Sequence, residues 1–333
     1  MISYRPAWWI PGPHVRTLWG RFVRRPPVVR TRREQWDTPD GDVLDVDRLD
    51  AARVDAPRLI LLHGLEGTAR SHYALGMMAE ARERGWGADF LLFRSCGGAL
   101  NRTRRFYHSG DTGDLDLVVT RIRHDHPHSP LILAGFSLGG NVLLRWLAEH
   151  RDDSIHAAAA ISVPFDLARG ARHIDKGFAR VYQANFISSL KRKVYAKLEQ
   201  FPDLVDRQKL DAVRSIREFD DLLTAPLHGF VDADDYYTRS SALTVLKDVR
   251  VPTLLLSAVD DPFLPAAVLD EVRTVAEKND ALHVEFVERG GHVGFVSGTV
   301  PWRPVYYAEQ RVTAFLASLL PHEGRQRPSP LGV

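Results

Sequence analysis

Short apolar runs separated by helical patterns recur along this chain, and that rhythm restricts the fold more than any other feature of the sequence. Runs of strand length at Leu59 to Leu62, Phe90 to Phe93, Leu131 to Ala134, Ala157 to Val163 and Thr253 to Ser257 alternate with helical patterns such as Tyr73 to Arg84 and Leu138 to Glu149. Strands that are apolar on both faces must be covered on both faces, so the alternation reads as βαβ units around a buried parallel sheet. Upstream, Val28 to Asp37 and Val43 to Leu49 flank the turn Pro39-Asp40-Gly41-Asp42, a hairpin that gives the same sheet an antiparallel edge. From about Asp166 to Val249 the rhythm lapses into charged helical segments such as Ser188 to Glu199 and Leu210 to Phe219. It resumes at Val251 to Leu256 and Leu282 to Val287 and ends in a helix at about Pro304 to Leu320.

The expected organisation is an α/β core over 28–165 and 250–320, with a mostly parallel central sheet flanked by helices. A helical cap inserted over 166–249, an N-terminal arm over 1–27 packed on or near the core, and a flexible tail over 321–333 complete it. With 333 residues and 44% hydrophobic content, the chain can bury a core of that size.

Gly135-Phe136-Ser137-Leu138-Gly139 lies between the run Leu131 to Ala134 and the helical pattern Leu138 to Glu149. G-x-S-x-G at a strand-to-helix turn is the nucleophile elbow of the α/β-hydrolase fold: the glycines avoid collision with neighbouring backbone, and the turn exposes the Ser137 hydroxyl at a helix N-terminus. A second strand ends in His63-Gly64-Leu65-Glu66-Gly67, opposite the elbow in that layout, so the peptide N–H groups of Leu65 and Leu138 are the expected oxyanion donors. His292 stands in a glycine-flanked loop after the last strand, and an imidazole can take and return a proton near neutral pH. The orienting carboxylate belongs just past Thr253 to Ser257, where Asp260 and Asp261 are both candidates. Asp261, four residues before Pro265, is the choice, with Asp260 then capping or orienting the loop. The order serine, aspartate, histidine is that of the fold.

Further segments carry a family likeness. They are Pro6-Ala7-Trp8-Trp9-Ile10-Pro11-Gly12-Pro13-His14, His63 to Gly67 with Ser71-His72-Tyr73, Asn101-Arg102 with Tyr107-His108-Ser109-Gly110, Gly135 to Asn141, Asp260-Asp261-Pro262-Phe263 and Gly291-His292-Val293-Gly294-Phe295. Together they resemble the YheT-like branch of the α/β-hydrolases, related to the mammalian ABHD1 and ABHD3 proteins, over roughly residues 5 to 320. The resemblance implies a serine hydrolase acting without a cofactor on carboxylic esters of short or medium acyl chains, lipid-derived ones included. Phe93-Arg94-Ser95-Cys96-Gly97-Gly98 departs from the branch's usual Phe-Arg-Gly-Cys-Ser-Gly, which bears on one pocket wall. The triad leaves two alternatives open: a thioesterase or amidase, and a catalytically silent binding protein on the same fold.

Charge is unevenly spread. Residues 1–33 hold eight arginines and no acid, while the other 300 residues sum to −6 (36 basic, 42 acidic). The arm, with Trp8, Trp9, Trp19 and Phe22, either wraps the acidic body or rests on an anionic lipid surface. The single cysteine, Cys96, excludes an intramolecular disulfide and a cysteine metal set, and suggests a reducing, cytoplasmic setting. No secretory leader or apolar run of membrane-spanning length is visible. Neither a P-loop nor a G-x-G-x-x-G after a strand is present, so no nucleotide or nucleic-acid partner is expected. His124-Asp125-His126-Pro127-His128 crowds imidazoles with a carboxylate but falls in a helix-to-strand connection away from the catalytic edge, so no metal is expected. Tyr107-His108-Ser109 either lines the pocket or caps the helix Asp111 to Arg123. Cys96 reads as a packed thiol.

Overall fold

The computed structural model describes residues 3–321 apart from 151 and 153. Its eight-stranded sheet runs in the order β1-β2-β4-β3-β5-β6-β7-β8. The strands are β1 (Arg32–Asp37), β2 (Val43–Leu49), β3 (Arg58–Leu62), β4 (Gly87–Leu92), β5 (Leu131–Phe136), β6 (Ile155–Ile161), β7 (Thr253–Ala258) and β8 (Leu282–Val287). β3 to β8 pair in parallel, and β2 runs antiparallel to both β1 and β4, so the hairpin forms the edge read from the turn. β3, β4, β5 and β7 are buried along their whole length, as strands covered on both faces must be.

One face carries α2 (His72–Glu83) and α12 (Tyr307–Ser318), with Met77, Met78, Val312 and Leu316 packed on Phe90, Leu59 and Leu254. The other carries α3 (Gly113–Asp125), α4 (Leu138–Glu149) and α11 (Ala266–Ala276), with Val118, Val142, Leu143 and Val268 packed on Leu62, Leu133 and Leu255. The arm contributes α1 (Gly12–Phe22). Between β6 and β7 the cap holds α5 (Leu167–Ile174), α6 (Ala179–Leu198), α7 (Arg207–Ala212), α8 (Ile216–Phe219), α9 (Ala225–Leu227) and α10 (Ala233–Ser240). Its own apolar cluster centres on Ile187, Val194, Leu210, Phe219 and Leu223.

Several expected boundaries move. β4 starts three residues before the apolar run, because Asp89 sits inside the strand as a buried carboxylate held by Arg48 and Arg58. Residues 28–31 do not join β1, and Val28 is exposed. The helix expected over Leu210 to Phe219 is two pieces, since Ser215 opens α8 with a reciprocal capping box to Glu218. The pattern Ser188 to Glu199 is the second half of a longer helix, α6. Apart from residue 321, the tail expected over 321–333 lies outside the described residues.

Candidate active site

Backbone conformation marks one edge of the sheet before any side chain is considered. Among the described residues, the non-glycine positions with positive φ are Glu66, Ser95, Ser137, Ser162, Val293 and Phe295. Each lies in the loop after a parallel strand, β3, β4, β5, β6 or β8. Such conformations cost energy and persist only where surrounding packing enforces them. At the tightest of these turns Ser137 has φ 52° and ψ −120° between β5 and α4. A Cβ on Gly135 would lie 2.4 Å from the Gly139 carbonyl oxygen, and one on Gly139 would lie 2.4 Å from that of His63, so only glycine fits either position.

The chain brings Ser137, His292 and Asp261 into one line of contacts. Ser137 Oγ lies 3.0 Å from His292 Nε2. His292 Nδ1 lies 2.9 Å from Asp261 Oδ2 and 3.2 Å from Oδ1. The neighbouring carboxylate holds backbone instead, as Asp260 Oδ1 accepts hydrogen bonds from the Gly290 and Gly291 N–H groups at 2.7 and 2.8 Å. Its Oδ2 receives Arg16 Nη1 at 3.3 Å. Asp261, the residue chosen from the sequence, thus faces the imidazole, and Asp260 holds the loop.

The histidine loop is fixed from two further directions. Thr17 Oγ1 on α1 accepts the His292 N–H at 2.9 Å, and Ser162 Oγ accepts that of Val293 at 3.0 Å. Phe263 lies against the imidazole at 4.1 Å between ring centroids. The basic arm therefore wraps the body. Besides Arg16 to Asp260, Arg24 forms a two-contact pair with buried Glu309. Sequence periodicity gave no sign that α1 would support the histidine loop.

Opposite Ser137, a Cβ on Gly64 would come within 3.0 Å of the serine Cβ, so the loop after β3 approaches the elbow as closely as glycine permits. Tyrosine hydroxyls hold the N–H groups on either side of Leu65: Gly64 N–H donates to Tyr73 Oη at 3.0 Å and Glu66 N–H to Tyr107 Oη at 2.8 Å. Among the described residues neither the Leu65 nor the Leu138 N–H has a protein acceptor. His63 is fully buried, with Nδ1 on the Gly64 carbonyl and Nε2 accepting the Phe93 N–H, and burial lowers its pKa to about 4.

A polar cluster that no motif announced ties this loop to the cap. Glu66 accepts Lys193 Nζ at 2.7 Å and Tyr107 Oη at 3.0 Å on one oxygen and Ser189 Oγ at 2.5 Å on the other. Lys193 also reaches Cys96 Sγ at 3.2 Å, and burial raises that thiol to about 11, in keeping with a packed cysteine. Ser109 N–H donates to Tyr236 Oη, and its carbonyl accepts Asn141 Nδ2. Tyr107 and Ser109 line cavities rather than cap α3, whose N-cap Thr112 makes no side-chain capping bond. In the histidine-rich segment, His124 turns to Asp125 and His126 to Arg48.

Two cavities meet at the Ser137–His292 pair. One, about 690 Å³ including its open mouth, runs under the cap and is walled by Leu138, Leu167, Ile174, Phe186 and Ile216. The other, about 1620 Å³ including open solvent, lies between α1 and the loop 64–73 and is walled by Arg21, Arg70, Ser71, His72 and Asn185. At the far side of the apolar cavity Asp220 is buried, held by Tyr237 Oη at 2.8 Å and raised by burial to about 6.

A family model described as the alpha/beta hydrolase fold matches residues 57–299. The chain is 37% identical over 312 residues to the candidate esterase YheT of Escherichia coli (strain K12), covering 92% of this chain and 91% of that one. It is 30% identical over 329 residues to the human phospholipase ABHD3, covering 96% and 80%. To the monoacylglycerol lipase of Saccharomyces cerevisiae it is 31% identical over 250 residues, 72% of this chain and 55% of that one. Among solved structures, the Pyrococcus furiosus esterase Pf2001 superposes with a TM-score of 0.56 at 16% identity over 90% of this chain and 98% of that one, a likeness of fold. With the elbow, the strand order and these relatives in agreement, the chain belongs to the α/β-hydrolase family, in the YheT-like branch that also holds the ABHD3 phospholipases.

Proposed function

We propose that this protein is a serine hydrolase of carboxylic esters, acting through an acyl-enzyme on Ser137. The observation that carries the reading is the continuous line from Ser137 Oγ through the His292 imidazole to Asp261. His292 Nε2 takes the hydroxyl proton as Ser137 attacks the ester carbonyl. Asp261 holds the tautomer that leaves Nε2 free and stabilises the imidazolium that forms. The Leu65 and Leu138 N–H groups receive the oxyanion, and the proton then passes from His292 to the departing alcohol. Water repeats the sequence to release the acid. Removing one such oxyanion donor costs about 3 to 4 kcal/mol of transition-state stabilisation.

The apolar cavity under the cap suits the acyl chain, of short or medium length or derived from lipid, in keeping with the esterase, phospholipase and lipase names of its relatives. No helix among the described residues is long and apolar enough to cross a membrane. Exposed Trp8 and Phe22 on the arm support peripheral contact with an anionic lipid surface, which co-sedimentation with anionic liposomes at low salt would detect. The central test is labelling by a fluorophosphonate together with turnover of oxygen esters and acyl thioesters. Labelling present in the native chain and absent in Ser137→Ala is the expected result. An unlabelled native protein would favour a silent binding role, and faster thioester cleavage a thioesterase.

A further inference from the structure

The peptide that carries the Leu65 N–H lies between two peptides, each held by a tyrosine hydroxyl. On one side Gly64 N–H donates to Tyr73 Oη at 3.0 Å, and on the other Glu66 N–H donates to Tyr107 Oη at 2.8 Å. Tyr107 Oη in turn donates to Glu66 Oε1 at 3.0 Å, so a single hydroxyl holds both the backbone and the side chain of that residue. The turn is closed by Gly67 N–H on the Gly64 carbonyl at 3.0 Å and carries Glu66 at φ 56°. A left-handed backbone is unfavourable for glutamate, and rotation of the Leu65–Glu66 peptide would relieve it. That rotation breaks the bond to Tyr107 and frees the adjoining peptide, with its Leu65 N–H, to turn.

Both rings are seated on the ends of core strands. Tyr73, in the first turn of α2, packs on Phe136, the residue before Ser137, at 4.4 Å between centroids. Tyr107 is buried and stacks on Phe93, just past β4, at 5.0 Å and 9° between ring planes. Tyr73 therefore sets the loop against the elbow itself. Resting on the ester-hydrolase reading of Ser137, we propose that Tyr73 and Tyr107 are positioning residues of the oxyanion hole. They brace the peptides on either side of the Leu65 N–H and so keep that donor aimed at the oxyanion that forms when Ser137 attacks. A donor of this kind gains strength only as charge develops, so losing its aim costs rate rather than ground-state affinity.

Tyr73→Phe, Tyr107→Phe and the double variant keep the rings and remove only the hydroxyls. Removing an oxyanion donor outright costs about 10²- to 10³-fold, so on a short-chain ester each single variant should lower kcat by about 10-fold and the double by about 100-fold. KM should stay within about twofold of native, because the ground state does not use the donor fully. Tyr195→Phe, which removes a hydroxyl that meets Asp211 at the surface, should leave kcat unchanged. The pH profile of kcat/KM should keep its midpoints, since neither hydroxyl touches the triad. A hexyl trifluoromethyl ketone separates position from packing, because it adds to Ser137 and leaves an oxyanion in the hole. Its Ki should rise by the factor by which kcat/KM falls, while the Ki of hexanol, which forms no adduct, should not move. Rates are referred to titrated active sites, so that misfolded chain does not count. A double variant within about twofold of native kcat, or a loss shared equally by the ketone and hexanol, overturns the brace. A native chain that neither hydrolyses esters nor forms the ketone adduct refutes the ester-hydrolase reading, and the brace with it.

Discussion

The core and the cap both contribute polar groups to the site, but they hold them by different means. In the core each group stands in a short loop after a parallel strand, where backbone geometry dictates position: Ser137 with its positive φ, Asp261 just past β7, His292 in a glycine-flanked turn. In the cap, position comes from side chains that reach across a seam, as Lys193 and Ser189 on α6 grip Glu66 in the core. A site built on loop backbone survives large changes elsewhere, whereas one built on reach depends on two bodies staying docked.

The first way to break this contrast is to remove the core groups. Ser137→Ala or His292→Ala should lower kcat by about 10⁴-fold or more, and the two together should cost little beyond either alone. Steady-state rates on a short-chain ester, with active-site titration as control, give the answer; near-native rates in either variant would remove the core's claim to the chemistry. The two adjacent aspartates sharpen it. Asp261→Asn should cost about 10⁴-fold in kcat by inverting the preferred tautomer. Asp260→Asn touches Gly290, Gly291 and Arg16 instead, and should cost far less in rate than in melting temperature.

Seam variants come next. Glu66→Gln and Lys193→Met should each reduce kcat by about 10- to 100-fold through the loop that carries the Leu65 N–H, since removing one oxyanion donor altogether costs about 10²- to 10³-fold. KM should move as well, because Glu66 and Lys193 line the space that continues under the cap. The double variant should cost little more than the worse single one, and additive losses would argue against one coupled clamp.

The last contrast is a dependence on acid. Burial lowers the pKa of His108 to about 3 and of His228 to about 2, and the two rings lie tilted against each other at 4.4 Å between centroids where the cap meets the core. In the unfolded chain both protonate near pH 6.5, so the stability they supply is complete above that pH. It is lost progressively as pH falls from there toward 3. His63 and His72 add the same sign down to about pH 4. Thermal melts between pH 7 and 5 should show the decline, and His228→Phe should flatten it by one histidine's share. An unchanged slope would move the acid sensitivity away from the seam.

Much of the core was legible because its signals are local. An apolar run bounded by turn residues is a strand wherever it lies. A glycine before and after Ser137 is demanded by contacts with the adjacent loops, and the chain order of Ser137, Asp261 and His292 follows the order of the strands that present them. Even α4 begins and ends where the pattern said, at Leu138 and Glu149. Charged residues hid the rest: Asp89 concealed the start of β4, and the cap's helices break at Ser215 for reasons of capping rather than hydropathy.

What the sequence determined by itself is the sheet, the elbow and the identity of the serine and histidine, all consequences of residues close together in the chain. The tertiary structure alone decided that the basic arm supports the histidine loop through Thr17 and Arg16. It also decided that Glu66 joins the core to the cap across more than 120 residues. Periodicity records which face of an element is buried, but a hydrogen bond between distant segments leaves no period, so only the folded chain reveals its partners.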